Sequence, residues 1–273
     1  MNNIFRCRDM VFELGRRVYI MGILNITPDS FSDGGRYLCP GNAVEAAMEM
    51  ERQGADIIDI GGQSTRPGAV AISPDEEMAR LTPVLERLKG RLSVPVSIDT
   101  FNPEVARFAL EWGVHIINDV TGFEQKEMRE TVSAYGCGCI ALHSLPIEND
   151  PDCGQSVRGW CLKKAAQLLA AGVKPECICF DPGIGFGKSY EQNLRLISTN
   201  AARPEGFAWM VGASRKRVIG TAGDQPDPAK RDTGTVAAHT AAVMAGANII
   251  RAHDVAMARQ GANVAQALLE CKA

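Results

Sequence analysis

The sequence predicts a single-domain α/β protein whose strands close into a (β/α)8 TIM barrel spanning 1–273, with the barrel core at about 18–271. Three observations predict it: eight short apolar runs of strand length, segments of helical pattern alternating with them, and a polar residue closing nearly every run. Val/Ile-rich runs without alternation are strands buried on both faces, and strict β then α order implies parallel pairing through right-handed crossovers. Eight such units fit a closed barrel. An open doubly wound sheet permits the same alternation, but no G-x-G-x-x-G fingerprint follows the first run.

In chain order the runs are "VYIMGILN", "ADIIDIGG", "VPVSIDT", "VHIINDV", "GCIALHS", "ECICFDPG", "FAWMVGAS" and "NIIRAHD". Helices are expected at about 41–53, 74–89, 103–112, 125–135, 157–171, 190–199, 232–245 and 256–270. Their starts carry recognisable signals. "SPDEEM" places Ser73 at an N-cap, and "NPEVARFALEWG" offers Asn102 as N-cap, Pro103 in the first turn and Gly113 as the stop. The longest stretch without period, "SLPIENDPDCGQSV" at 144–157, is expected to be a surface loop.

Composition narrows the function. With 45% hydrophobic residues the chain can bury a large core, and with 22% charged residues and a net charge of −3 it has no positive field to hold nucleic acid or an anionic membrane. The N-terminal stretch lacks a signal-peptide pattern, and no apolar run approaches the roughly 20 residues that cross a bilayer, so a cytoplasmic protein is expected. Nine cysteines, an odd number scattered through core segments, imply reduced thiols. The pairs Cys137/Cys139 and Cys177/Cys179 are spaced too closely for a usual zinc site and are expected to pack as small apolar side chains.

In such a barrel the strand ends converge on one C-terminal mouth. They deliver Asn25, then Gly61 and Gly62 leading into "QSTRPG", then Asp99, Asn118, His143, Asp181, Lys216, and finally Arg251 with His253. Each alone could be a turn former or cap. Together they are costly, because buried carboxylates and cations require partners or a charged ligand. Asp99, Asn118 and Asp181 suit the N–H and amino edge of a flat heterocycle such as a pterin or guanine. Thr65, Arg66, Arg251 and His253 suit phosphate. The loops "NITPDSFSDGGRY" and "GQSTRPGAVAIS" have the composition of segments that close over a substrate.

With "GILNITPDSFSDGG", "GADIIDIGGQSTRPGA", "VSIDT", "IINDVTG", "FDPGIGFGK", "GASRK" and "IIRAHDV" in order, from about Tyr19 to Leu268, the chain resembles the dihydropteroate synthase family. The resemblance implies a barrel enzyme of folate synthesis, usually a homodimer, that joins 6-hydroxymethyl-7,8-dihydropterin pyrophosphate to p-aminobenzoate and is a target of sulfonamides. It implies pterin contacts from Asp99, Asn118, Leu142, Asp181, Phe186, Gly212 and Lys216, and pyrophosphate contacts from Asn25, Thr65, Arg66, Arg251 and His253. Asn25 would also help to place Mg2+. Phe31, Pro67, Ser214, Lys216 and Arg217 would border the aminobenzoate, and Asp33 would stabilise the developing cation, so that Asp33, Asp99, Lys216, Arg251 and His253 form the implied catalytic set.

Three departures stand out. Gln63 occupies a position where the family usually has Glu; Leu142 and Ser144 replace the usual Met-rich continuation after the fifth strand; Arg217 follows "SRK" where many members have Ser. The alternatives are a pterin-dependent methyltransferase, an aldolase using Lys216 as Schiff-base nucleophile, and a catalytically weak pterin-binding paralogue.

Overall fold

The computed structural model describes residues 3–27, 40–64, 72–148, 150 and 152–271. Eight parallel strands close a barrel: β3 (Tyr19–Asn25), β4 (Ile57–Gly61), β5 (Val96–Asp99), β6 (Ile116–Asp119), β7 (Gly138–Leu142), β8 (Ile178–Asp181), β9 (Ala208–Val211) and β10 (Ile249–Ala252). The last strand pairs with the first barrel strand, Ile250 lying opposite Ile20. The eight runs read from the sequence are these eight strands.

Two strands precede them. β1 (Ile4–Cys7) and β2 (Met10–Glu13) form an antiparallel hairpin that the sequence reading left out. Its two-residue turn, Arg8 and Asp9, lacks the Gly or Asn that marks such turns, and Arg8 adopts a φ of 59°. The hairpin closes the end of the barrel away from the mouth. Phe5, Cys7 and Phe12 join Met21, Ile57, Ile116, Ile140, Met210 and Ile249 in one buried cluster. Gly138 admits this plug, since a Cβ there would lie 2.7 Å from Cys7 Sγ and 3.1 Å from Phe5 Cζ.

Around the barrel lie α1 (Pro40–Arg52), α2 (Pro74–Leu88), α3 (Pro103–Glu111), α4 (Lys126–Tyr135), α5 (Cys153–Ala170), α6 (Tyr190–Ser198), α7 (Arg217–Ala222), α8 (Asp232–Met244) and α9 (Val255–Glu270). Their apolar stripes and the outer strand faces share a second, larger core. Ser73 caps α2 as expected, its hydroxyl accepting from Glu76 N at 3.2 Å. Asn102 sits at the N-cap position of α3, yet its side chain makes no cap bond and donates instead to Glu77 Oε2. A buried carboxylate is the stronger acceptor, and Pro103 already removes one orphan N–H.

One boundary and one further element differ from the sequence reading. α5 begins at Cys153 rather than 157, because Asp152 accepts from Gln155 N at 3.2 Å and starts the helix inside the expected loop. The six-residue α7 was not foreseen; at less than two turns it carries little periodic signal. Cys137, Cys139, Cys177 and Cys179 are all buried, and burial pushes the Cys177 thiol up to about 11, so these sulfurs pack as small apolar groups. No helix among the described residues is long and apolar enough to cross a membrane.

Gly138→Ala is expected to lower stability by about 1–3 kcal/mol through overpacking against the plug. Adding Cys7→Ala removes the nearest clashing atom and should recover part of that loss, a non-additivity that denaturant unfolding of both single variants and the double variant would measure.

Candidate active site

The strand register assembles the mouth. Asn25 pairs with Gly61, Gly61 with Asp99, and Asp99 with Asn118, so the ends of β3, β4, β5 and β6 form one continuous rung. Paired residues on parallel strands point to the same face, which turns these groups together. On the far side Leu142 pairs with Asp181 across β7 and β8. A cleft of about 850 Å3 opens between them. Asn25, Asp99, Asn118, Leu142, Asp181, Phe186, Gly212, Ser214, Lys216, Arg217, Arg251 and His253 all line it. Phe31, Asp33, Thr65, Arg66 and Pro67 lie outside the described residues, as do most of the two loops that carry them.

At the centre stands Arg251. Its Nε donates to Asp59 Oδ2 at 2.7 Å, and its Nη2 reaches both Asp59 Oδ2 at 2.6 Å and Asp99 Oδ2 at 3.0 Å. Asn118 Nδ2 donates to the same Asp59 oxygen at 3.1 Å. Asp59 was not singled out from the sequence. The signal was present: a carboxylate two residues before the strand end, on the same face as Gly61, inside the otherwise apolar "IIDIG". It is fully buried, and its Oδ1 has no hydrogen-bond partner among the described residues. Arg251, expected on phosphate, here grips Asp59 and Asp99.

Burial decides the protonation of these groups. Desolvation raises Asp99 to about 7, with Arg251 opposing the shift and Asp59 and Glu77 adding to it. Asp181 is also raised, again mainly by burial, although Lys216 and the bond from Gly183 N at 2.7 Å pull the other way. The turn after Asp181 requires glycine: Gly183 has a φ of 71°, and a Cβ there would fall 2.0 Å from His143 O.

Lys216 faces Asp181 from the loop after β9. Burial lowers it to about 8, while Asp181 holds the ammonium form. Its Nζ donates to Ile184 O at 2.5 Å and stands 4.8 Å from the Phe186 ring centroid. Lys188, the last residue of "FDPGIGFGK", also lines the cleft and was not singled out. Its Nζ lies 2.8 Å from His143 O, 2.9 Å from Phe186 O and 3.0 Å from His143 Nδ1, which fixes the backbone behind Phe186. Burial and then Lys188 lower His143 to about 4. His143 sits behind the cleft, its ring edge-on to Trp160 at 5.0 Å, rather than in its wall.

Ser214 and His253 are one unit. Ser214 Oγ lies 2.9 Å from His253 Nδ1 and accepts from His253 N at 3.2 Å. The resemblance assigns them to different substrates; the structure brings the two side chains into contact.

This is the cleft of a barrel enzyme that binds a hydrogen-bonding ring system together with an anionic group. Residues 21–253 match the family model described as pterin binding enzyme, and the chain belongs to that family. It is 42% identical over 270 residues to a dihydropteroate synthase of Synechocystis sp., covering 94% of this chain and 92% of that one. A Xanthomonas albilineans dihydropteroate synthase solved with 4-aminobenzoic acid superposes with a TM-score of 0.91 at 36% identity, covering 98% of this chain and 99% of the other. A Yersinia pestis dihydropteroate synthase in a sulfonamide drug complex gives 0.92 at 33% identity, with 98% and 99% covered.

A pterin that donates to Asp99 requires its carboxylate, and a ring acceptor facing Lys216 requires the ammonium. Binding should therefore weaken below about pH 7, where free Asp99 takes up a proton, and above about pH 8, where free Lys216 loses one. Calorimetric titration with a dihydropterin from pH 5 to 10 should show a maximum between them.

Proposed function

We infer that the chain catalyses the dihydropteroate synthase reaction, condensing 6-hydroxymethyl-7,8-dihydropterin pyrophosphate with p-aminobenzoate to give 7,8-dihydropteroate and pyrophosphate in folate synthesis. The observation that carries this is the pairing of acceptor-rich and cationic groups on one cleft: the Asn25–Gly61–Asp99–Asn118 rung faces Asp181 and Lys216, with Arg251 between.

Asp99 and Asp181 accept from the N–H and amino edge of the ring, Asn118 pairs through its amide, and Lys216 donates to a ring acceptor. Leu142 and Phe186 cover the faces of the ring. Gly212 keeps space beside it, for a Cβ there would stand 3.3 Å from Asp181 Oδ2. Arg251 and His253, with Asn25, Thr65 and Arg66, hold the diphosphate. Ser214 and Arg217 border the aminobenzoate together with Phe31 and Pro67.

Reaction proceeds as the bond from the pterin methylene to the diphosphate oxygen lengthens, its electron pair leaving with oxygen. The electron-rich dihydropterin delocalises the cation that develops, and the carboxylates of Asp99, Asp181 and Asp33 stabilise it. The arylamine nitrogen then attacks the methylene carbon and loses a proton. A free arylamine is already nucleophilic at neutral pH, so no strong protein base is required.

Mg2+ fits the donors present. Asn25 offers an amide oxygen at the cleft, and substrate phosphates and water would supply the rest of the ion's oxygen ligands. When bound, it would neutralise charge on the departing diphosphate. Homodimer formation is proposed as well: Val264 and Leu268, 55% and 50% exposed and one turn apart on α9, present an apolar stripe to a second copy. Eight unpaired cysteines among the described residues favour a cytoplasmic setting.

Incubation with the dihydropterin pyrophosphate, aminobenzoate and Mg2+ should release pyrophosphate, and omission of any one should abolish release. No release from the complete mixture would refute the assignment. Lys216→Ala and Asp181→Ala should each abolish pterin binding, whereas Arg251→Ala should reduce turnover more than tenfold, because it also uncovers two buried carboxylates. A sulfonamide should raise the apparent KM for aminobenzoate without changing the maximal rate.

A further inference from the structure

The turn that carries Ser214 and Lys216 into the cleft is built on α8. Ala213 N donates to His239 Nε2 at 3.3 Å, and Arg215 N donates to Thr235 Oγ1 at 3.1 Å. The Thr235 hydroxyl donates onward to Arg231 O at 2.9 Å, and Arg231 Nη1 returns to Arg215 O at 3.0 Å. Asp232 clasps the Arg215 guanidinium with both oxygens, Oδ1 accepting from Nε and Oδ2 from Nη2, each at 2.8 Å. Residues 231, 235 and 239 are spaced by four, which puts them on one face of the helix. Thr235 and His239 are buried on that face.

The turn needs such support. Lys216 N donates to Ala213 O at 3.2 Å, closing a four-residue turn with Ser214 and Arg215 at its centre. Arg215 has a φ of 57°, a left-handed backbone at the place where such turns favour glycine. That conformation lets Ser214 Oγ meet His253 while Lys216 Nζ meets Ile184 O, so side chains on either side of Arg215 reach one cleft. Asp232, Thr235 and His239 stand behind the cleft rather than in its wall. Burial, and then Lys216, lowers His239 to about 4, so the ring is neutral and Nε2 keeps the lone pair that accepts from Ala213 N. The proton then sits on Nδ1, which is buried with no partner among the described residues. An aliphatic side chain would fill the space without that cost, but it would offer Ala213 N no acceptor.

We propose that His239 is a positioning residue for the reaction: its imidazole fixes the Ala213 amide and, with Thr235 one turn away on α8, holds Ser214 and Lys216 at the cleft. The proposal rests on the reading of this cleft as the reaction site. In that reading Ser214 borders the aminobenzoate and Lys216 meets both substrates. Asp99, Asn118 and Asp181 stand on β5, β6 and β8, strands that these bonds from α8 do not reach. Loosening the turn therefore costs aminobenzoate binding more than it costs pterin binding.

The test compares the full-length chain with His239→Leu, which fills the space without an acceptor, and His239→Gln, whose Oε1 can accept from Ala213 N. Thr235→Val and the double variant His239→Leu/Thr235→Val complete the set. Steady-state kinetics and amide hydrogen exchange are measured on the same samples. His239→Leu should raise KM for aminobenzoate about fivefold, the scale of one lost hydrogen bond, with a smaller change in KM for the dihydropterin pyrophosphate. His239→Gln should stay within about twofold of the unsubstituted chain. A mere loss of folded protein would lower the apparent kcat and leave both KM values in place. In His239→Leu, exchange should quicken about tenfold at Ala213, Arg215 and Lys216 together. The double variant should lose less than the product of the two single losses, because both act on one turn. An unaltered aminobenzoate KM in His239→Leu, or a His239→Gln variant no better than it, would overturn the proposal. So would a nitrogen-15 spectrum of the unsubstituted chain that places the His239 proton on Nε2, a result that depends on no variant folding. Absence of turnover by the unsubstituted chain would sink the assigned reaction instead, and the ring spectrum with amide exchange would still decide whether His239 holds the turn.

Discussion

The grip of Arg251 on Asp59 and Asp99 is the constraint on which the site depends. Three acids, Asp59, Asp99 and Asp181, are buried at the mouth of the barrel. An unpaired charge in such a place costs several kcal/mol, and breaking a buried pair costs about 3–5 kcal/mol because the abandoned partner stays behind. Arg251 and Lys216 are the cations that make the arrangement tenable. The desolvation is not fully offset, which is why Asp99 is raised to about 7 despite its ion pair. A carboxylate held close to its protonation threshold is one that a ring N–H can recruit.

That grip also ties chemistry to closure of the fold. Arg251 belongs to β10, whose neighbours are β3 and β9, while Asp59 and Asp99 belong to β4 and β5. The guanidinium therefore reaches inside the barrel past β3, joining residues 192 and 152 positions away. It can do so only when β10 has paired with β3. The opposite end is sealed separately by the hairpin and its Phe5–Phe12 cluster, so one pole carries packing and the other carries polar function. Residues at the mouth are thereby released from filling the core.

The sequence revealed the eight strands and most of the cleft for one reason: continuous apolar runs that stop on Asn, Asp or Arg are unusual unless their ends share a polar place. Asn25, Asp99, Asn118, Asp181, Lys216, Arg251 and His253 were legible on that ground. What escaped were relations rather than residues. Asp59 stood in plain view inside "IIDIG", but its partner lies near the end of the chain. Asn102 carried a good cap signal that a buried Glu77 overrode. The pairing of Ser214 with His253 joins the last two barrel strands and leaves no local trace. The hairpin and α7 were hidden differently, by a turn without Gly or Asn and by a helix too short to show a period.

The central claim concerns the electrostatic bond between Arg251 and the acids, and carbon-13 NMR titration of the Asp99 carboxyl in the unsubstituted chain and in Arg251→Met tests it most directly. Assignment would come from the spectrum of Asp99→Asn. The account predicts a midpoint near 7 in the unsubstituted chain and a clearly higher one once the guanidinium is gone. A midpoint near that of an ordinary aspartate, about 4, or one that does not move in Arg251→Met, would contradict it.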